Sequence, residues 1–593
     1  MKYKLVNIVF ILIFFFLIIS NYLSSAHLFS FGDSFFLFDE DVKIKNIFSY
    51  WNQSYNFGEI FLRNNYSLIF ILLIKKYLFG SINFIFFQKI YIIFIISISF
   101  ICAIIFYKIF IKSFINNNNI QKSNLIPEYF YFCIFFFLNP YVLQYIINVD
   151  FAGFIAFLSG PLVMVIYYKF ISKFNYKYFF LLILSFIYLY GVYNNVLIKF
   201  SLYLNIIPFF FFFYYKLKFR HFLIRNFFYF SIFFFFNLPA IYFSILPLIQ
   251  LDQLLLSKSV IQDNKSWFEW TSHNSSFFNI IQGQSYMGWS ENSEIIKSIW
   301  NFYDYIKLNI FGKLFSFLYI LGFLFFLISN KFKYKKIILF FCLILIFISK
   351  GAHFPFRFVN LWLYEEIFIF NAFRTIFYLS LPLIPFFALF TVIFIKTSLA
   401  EVKKFSQIKF IVLSIFINFL VISMIFNTYG RNNFISDFMK VSIPNELYEL
   451  NKKINEIEDQ RFISLPFFTN MEMKKIWKLN INGDIFSHLI NKELITNNED
   501  NINNQIIYDF LNDKIRYDEA NNLFRFYGIS HIFLSKDNSI VTGGNRYSLK
   551  SLPSYAADFP KLYKKVFNNK FYYLYFIENN KIIDILEKII IYD

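Results

Sequence analysis

Near its start the chain reads Lys2-Tyr-Lys-Leu-Val-Asn-Ile-Val-Phe-Ile-Leu-Ile-Phe-Phe-Phe-Leu-Ile-Ile-Ser-Asn-Tyr-Leu23, and shortly afterwards Phe31-Gly-Asp-Ser-Phe-Phe-Leu-Phe-Asp-Glu-Asp-Val42. The first stretch is an apolar run behind two lysines, long enough to cross a hydrocarbon core about 30 Å thick. The second gathers Asp33, Asp39, Glu40 and Asp41 in a sequence otherwise poor in acid. An apolar run of this length exceeds the core of a signal peptide, although Ser24-Ser25-Ala26 offers small residues for cleavage. We read it as an uncleaved first span, with the acidic loop beyond it.

The same pattern recurs along the chain. Apolar residues make up 58% of the sequence and charged residues 16%, against roughly a quarter charged in soluble domains. Apolar blocks at about 84–107, 129–147, 151–170, 178–193, 197–215, 227–249, 310–329, 336–349, 373–395 and 409–428 join the first to give about eleven spans. Residues 66–79, interrupted by Lys75 and Lys76, read instead as an interfacial helix. Cys102, Cys133 and Cys342 all lie within apolar blocks, so neither a disulfide framework nor a thiolate metal site is indicated.

The net charge of +19 does not point to nucleic acid, because the basic residues are spread over short loops between spans. With the N-terminus inside, the inner loops hold Lys112 and Lys122; Lys169, Lys173 and Lys177; Lys216, Lys218, Arg220 and Arg225; Lys331, Lys333, Lys335 and Lys336; and Lys396, Lys403, Lys404 and Lys409. Glu401 is the main acid among them, while the acidic first loop falls outside. This asymmetry satisfies the positive-inside rule. An odd number of spans then leaves the C-terminus outside.

The expected architecture is therefore mainly α: a polytopic helical protein of the cell membrane, spanning 1–428, with a small extracytoplasmic α/β domain over 429–593. Its outer parts are the first loop at 24–66, a long loop at 250–308, and a re-entrant or interfacial segment at 350–372. In the last domain a helix follows Pro444, strands are expected at Arg461–Leu465 and Ile529–Leu534, and a hairpin turns at Asn568-Asn569.

Carboxylates at a membrane face are costly unless used. Asp33, Asp39 or Asp41 could take a proton from an acceptor hydroxyl, and Asp39 and Asp41, two apart, could share a divalent cation. Arg374, with Arg357 and Lys350 in the same outer segment, offers the charge to bind a phosphate. Trp267, Trp270 and Trp289 offer stacking surfaces for an acceptor. His273 and His353 stand alone without ligand spacing. No phosphate-binding Gly-x-x-x-x-Gly-Lys loop and no Gly-x-Ser-x-Gly elbow is present.

Gly32-Asp33, Asp41-Val-Lys, Trp51 and Gly58 in the first loop, Tyr364 through Phe373-Arg374 before a late span, and Phe462-Ile-Ser-Leu-Pro466 with Tyr527-Gly-Ile-Ser-His-Ile-Phe533 in the last domain together carry a resemblance. The chain resembles the GT-C class of membrane glycosyltransferases, and within it the alpha-(1→3)-arabinofuranosyltransferase and YfhO-like group. That resemblance implies a lipid-linked sugar donor, usually a polyprenyl phosphate, used on the extracytoplasmic face. The acceptor would be a cell-envelope glycan or glycolipid, and the catalytic acid one of Asp33, Asp39 and Asp41. The other class compatible with the sequence is a non-enzymatic envelope protein, such as a lipid or glycan transporter or an assembly factor.

Overall fold

The computed structural model describes residues 2–23, 28–29, 51–52, 59–60, 69–80, 82–115, 127–143, 158–190, 201–251, 268–285, 310–366, 376–429, 440–441, 445–457, 461–465, 494–495, 522, 524, 529–535, 563–568 and 572–577. They fall into two compact units. One comprises Met1–Ala26 with Lys89–Ser436, the other His27–Gln88 with Asp437–Asp593.

The first unit is helical, and each of the eleven apolar blocks lies wholly or partly on one of its helices. In chain order these are α1 (Lys2–Leu23), α3 (Phe84–Phe114), α4 (Glu128–Phe137), α5 (Gly160–Lys173), α6 (Tyr176–Tyr190), α7 (Ile207–Lys216), α8 (Phe219–Leu251), α10 (Ile310–Ile328), α11 (Lys335–Ser349), α13 (Ile384–Phe405) and α14 (Gln407–Tyr429). The short helices α2 (Ile69–Leu78), α9 (Phe277–Gln282) and α12 (Arg357–Glu366) lie between them in sequence. Among the described residues four helical stretches, 85–114, 219–238, 376–404 and 407–425, are long and apolar enough to cross a membrane, and four shorter apolar ones accompany them.

The helix through 376–404 is the centre of this unit, with 94% of its apolar window buried, against 28% for 407–425. In α14 the buried positions Ile417, Leu420, Val421 and Met424 lie opposite an exposed stripe of Ile408, Ile411, Val412, Ile415, Phe419 and Ile422. A helix that is apolar on its exposed face as well as its buried one suits lipid rather than water. On the central helix, α10 and α13 approach so closely that a Cβ on Gly322 would stand 2.7 Å from the Thr391 backbone, the small-residue contact that packs membrane helices. One turn on, the rings of Phe326 and Phe390 stack at 4.2 Å. Buried phenylalanines thus pack the interior as interlocking aromatic pairs, each adding about 0.5–1.5 kcal/mol beyond its burial.

The chain enters α13 through a 3₁₀ helix, Ile376–Leu383, which contains Pro382. Sequence alone reads this stretch as part of one plain span. Pro382 and Pro385 lack the N–H that an α-helix interior needs, so the tighter winding replaces it here.

The second unit is built on a five-stranded mixed sheet. Its strands are β5 (Arg461–Leu465), β6 (Leu494–Ile495), β7 (Ile529–Ser535), β8 (Lys564–Asn568) and β9 (Tyr572–Phe576), in the order β6-β5-β7-β9-β8. β5 runs parallel to β6 and β7, and β9 is antiparallel to β7 and β8. The expected strands and hairpin are present, and α15 (Asn445–Asn455) follows Pro444 as its sequence predicts. At the centre His531 lies between the rings of Phe462 and Phe576, 5.0 and 5.1 Å away, with Nδ1 2.9 Å from Ser530 Oγ. Burial pulls its imidazole down to about 4.

Two small pairings complete the described part of residues 28–60, and the first ties it into this same unit. β1 (Leu28–Phe29) pairs antiparallel with β4 (Lys440–Val441), and β2 (Trp51–Asn52) with β3 (Glu59–Ile60).

Candidate functional site

Of the expected site residues, Asp33, Asp39, Asp41, Arg374, Trp267 and Trp289 lie outside the described residues. What the structure shows of the acidic loop is its frame: β1 before the acids, and the β2–β3 hairpin after them. Lys350, Arg357 and Trp270 are described, and they belong to one packed assembly around the start of the 3₁₀ helix.

Lys350 follows the last residue of α11, on a turn that only glycine could complete. Gly351 has φ +55°, and a Cβ there would stand 2.1 Å from Ser272 Oγ and 2.9 Å from Ile376 Cγ2. Asn360, on α12, donates from Nδ2 to the carbonyls of Phe347 and Gly351 at 3.0 and 2.8 Å. It thereby closes carbonyls left open at a helix end. Phe268 stacks on Tyr364 at 4.3 Å, and both pack with Ile376 and Leu379. The segment carrying Trp270 is fixed to the turn twice more: His353 Nε2 meets the His273 carbonyl at 2.5 Å, and Arg357 donates to Glu269 at 2.8 Å. Trp270 itself is exposed.

A second set of contacts holds the other side of the 3₁₀ helix. Tyr141 donates to the Phe377 carbonyl at 2.9 Å, and Ser285 Oγ lies 2.9 Å from Ser380 Oγ. Next to Ser285, Gln284 donates to Ser316 at 3.1 Å. Gly283 ends α9 at φ +71°, where any Cβ would strike the Asn139 side chain. The residue two places after Arg374 is therefore the start of a firmly held element.

The electrostatics single out Lys350. Its side chain is 3% exposed, and among the described residues its Nζ has no hydrogen-bond partner. It sits 5.5 and 5.3 Å from the ring centres of Phe347 and Phe356, which offset only part of the lost hydration. Burial holds its ammonium below the ordinary lysine value. Ser349 Oγ beside it, and Asn205 Oδ1 next to Leu204, which packs on the same cluster, are also buried with no partner among the described residues. Among the described residues no acid neutralises this enclosed cation, which gives it the chemistry of an anion site. Arg357 differs, since Glu269 already engages its guanidinium and the pair is largely exposed.

Sequence reading missed Glu269, Asn360, Ser272 and Ser380. Only Gly351, within Lys350-Gly-Ala-His353, carried a local signal for the turn. Among the described residues no three His, Cys, Asp or Glu side chains group as a metal site.

The chain matches no known family model and no curated protein. Its fold does match solved structures of the arabinofuranosyltransferase AftD from Mycobacteria. The R1389S mutant in its class 2 form aligns with a TM-score of 0.57 and the form without that mutation with 0.53, both at 10% identity. These alignments cover 97% of this chain but 42% and 40% of AftD, so the chain spans about two fifths of its neighbour's length. The shared property is the fold: nearly all of this chain follows the backbone arrangement of a mycobacterial arabinofuranosyltransferase, with nine residues in ten different.

Proposed function

We propose that this protein is a membrane glycosyltransferase of the GT-C type. It transfers a sugar from a polyprenyl-phosphate-linked donor to a cell-envelope glycan or glycolipid on the extracytoplasmic face. The observation that carries this reading is the likeness to AftD, an arabinofuranosyltransferase, over 97% of the chain.

In this reading a first-loop carboxylate, Asp33, Asp39 or Asp41, takes the proton from an acceptor hydroxyl as its oxygen attacks the anomeric carbon. The bond to the phosphate oxygen breaks, and the departing phosphate gains negative charge. Arg374 and Lys350 supply the opposing field, with Arg357 at the rim; charge placed where charge develops lowers the barrier most. Lys350 suits this role because its ammonium is buried and, among the described residues, lacks a counter-ion. Trp267, Trp270 and Trp289 present faces on which an acceptor sugar can stack. A divalent cation shared by Asp39 and Asp41 is the variant of this scheme that chelation tests.

The test is sugar transfer by the purified full-length protein from a panel of polyprenyl-phosphate donors. Replacing the true base by Asn lowers kcat by about 100-fold or more. Lys350→Met raises the KM for donor and lowers kcat, as loss of a phosphate contact should. Unchanged transfer in Asp33→Asn, Asp39→Asn and Asp41→Asn alike would reject the proposed base. Loss of transfer after chelation, restored by a divalent ion, would assign the cation.

A further inference from the structure

α11 connects two unlike ends of the helical unit. Lys350 lies just past one end, and Tyr334 stands at the other, where the chain turns into the helix with φ +56°. Here the ends of α3 and α7 meet the loop before α11. Ile115 bridges to Phe332, and the Lys333 amide donates to the Phe114 carbonyl at 2.6 Å. The Tyr334 ring stacks on Tyr215 at 5.8 Å and meets Phe212 edge-on at 5.9 Å. Lys216 Nζ lies 5.2 Å from the Phe212 ring centre, and Lys333 Nζ 5.2 Å from that of Tyr334.

The result is a corner with an aromatic wall and two ammonium groups on its rim. Lys216 and Lys333 are exposed, as are Lys218, Arg220 and Lys336 close to them in sequence. Among the described residues no carboxylate pairs with Lys216 or Lys333. The acids found at this end are occupied elsewhere: Glu128 by Lys396, and Glu401 by Lys404 at 3.0 Å. Tyr215 is 61% exposed, and Phe211 and Phe219 beside it on the chain also show their rings at the surface.

We infer that Tyr215, Lys216, Lys333 and Tyr334 form a headgroup site for an anionic phospholipid of the adjoining leaflet. The two lysines supply charge-assisted hydrogen bonds to a phosphate diester. The tyrosines supply the amphipathic surface that suits the depth of the headgroups. Acyl chains then have the exposed apolar residues of α7 and α8 to lie against, which a free anion would not use. Basic recesses between membrane helices on the positive side recognise anionic lipids in this way. This inference is independent of the proposed transfer reaction.

The experiment is native mass spectrometry of the full-length protein in detergent, titrated with phosphatidylglycerol or phosphatidylcholine. The protein should retain phosphatidylglycerol about fivefold better. K216Q/K333Q should remove the preference, K216R/K333R should keep it, and K403Q/K404Q, at the same end but beside Glu401, should leave it unchanged. Unfolding midpoints within a few degrees of the native one confirm that the variants are folded. An undiminished preference in K216Q/K333Q would overturn the site. Equal retention of both lipids by the native protein would overturn it too, as would release of the lipid by glycerophosphate, which lacks the chains.

Discussion

Lys396 and Lys350 are both lysines of the helical unit, and both are buried, at 1% and 3% exposure. Lys396 is ion-paired to Glu128, whose Oε2 also accepts from Tyr107. Three helices, α3, α4 and α13, are thereby joined at one point. Lys350 has two aromatic rings and, among the described residues, no acid. A buried charge with its partner in place is part of the framework. A buried charge without one carries a desolvation cost that folding alone does not repay, and an arriving anion can offset it. The same residue type thus serves opposite ends in different ways, and the difference lies only in what surrounds it.

Removing one partner should hurt most where the charges are paired. Lys396→Met leaves the Glu128 carboxylate facing its former partner's place, and should cost about 3–5 kcal/mol of stability. Thermal unfolding in detergent should show a clear drop, and Lys396→Met with Glu128→Gln together should recover part of it. A single variant that unfolds at the native midpoint would erase the contrast.

A third buried base, His531, shows a different solution: it stays neutral. Its pKa in the fold is about 4, below the unfolded value of about 6.5. A base depressed in this way contributes its stability in full above pH about 6.5, and loses it as pH falls toward 4, because the unfolded chain takes up the proton first. The loss should reach at most about 3.4 kcal/mol. The protection of β7 amides against hydrogen exchange, relative to their intrinsic rate at each pH, should therefore fall between pH 7 and 4.5 in the native protein and much less in His531→Phe. Equal protection at both pH values would contradict it.

The smallest effect on stability is expected at Lys350. Lys350→Met removes a charge with no partner and keeps most of the volume, so unfolding should shift by less than about 1 kcal/mol while donor use declines. If this variant lost as much stability as Lys396→Met, Lys350 would be a framework residue.

The helices were legible because a membrane span is a local signal: length and apolar content suffice, as in Gln407–Tyr429. The strands at Arg461–Leu465 and Ile529–Ser535 and the hairpin after them were legible for the same reason, through β-branched and aromatic runs bounded by turn residues. Pairings between distant residues left no such trace. Nothing near Glu128 points to Lys396, or near Glu269 to Arg357, and the strand at Leu28–Phe29 gains meaning only beside Lys440–Val441. Composition also suggested one boundary near residue 428, whereas His27–Gln88 groups with the C-terminal unit through contacts that cross the sequence. For the candidate site, sequence named Lys350 from its charge and position. Its enclosure depends on Phe347, Phe356 and the turn that Asn360 closes, contacts the sequence does not show.

The 3₁₀ helix at Ile376–Leu383 changes how far the chain reaches. Its eight residues advance about 2.0 Å each, against about 1.5 Å in an α-helix, so the segment is about 4 Å longer than the same residues wound as α. Tyr141 and Ser285, bonded to Phe377 and Ser380, grip that added length, and Pro382 within it disfavours rewinding as α.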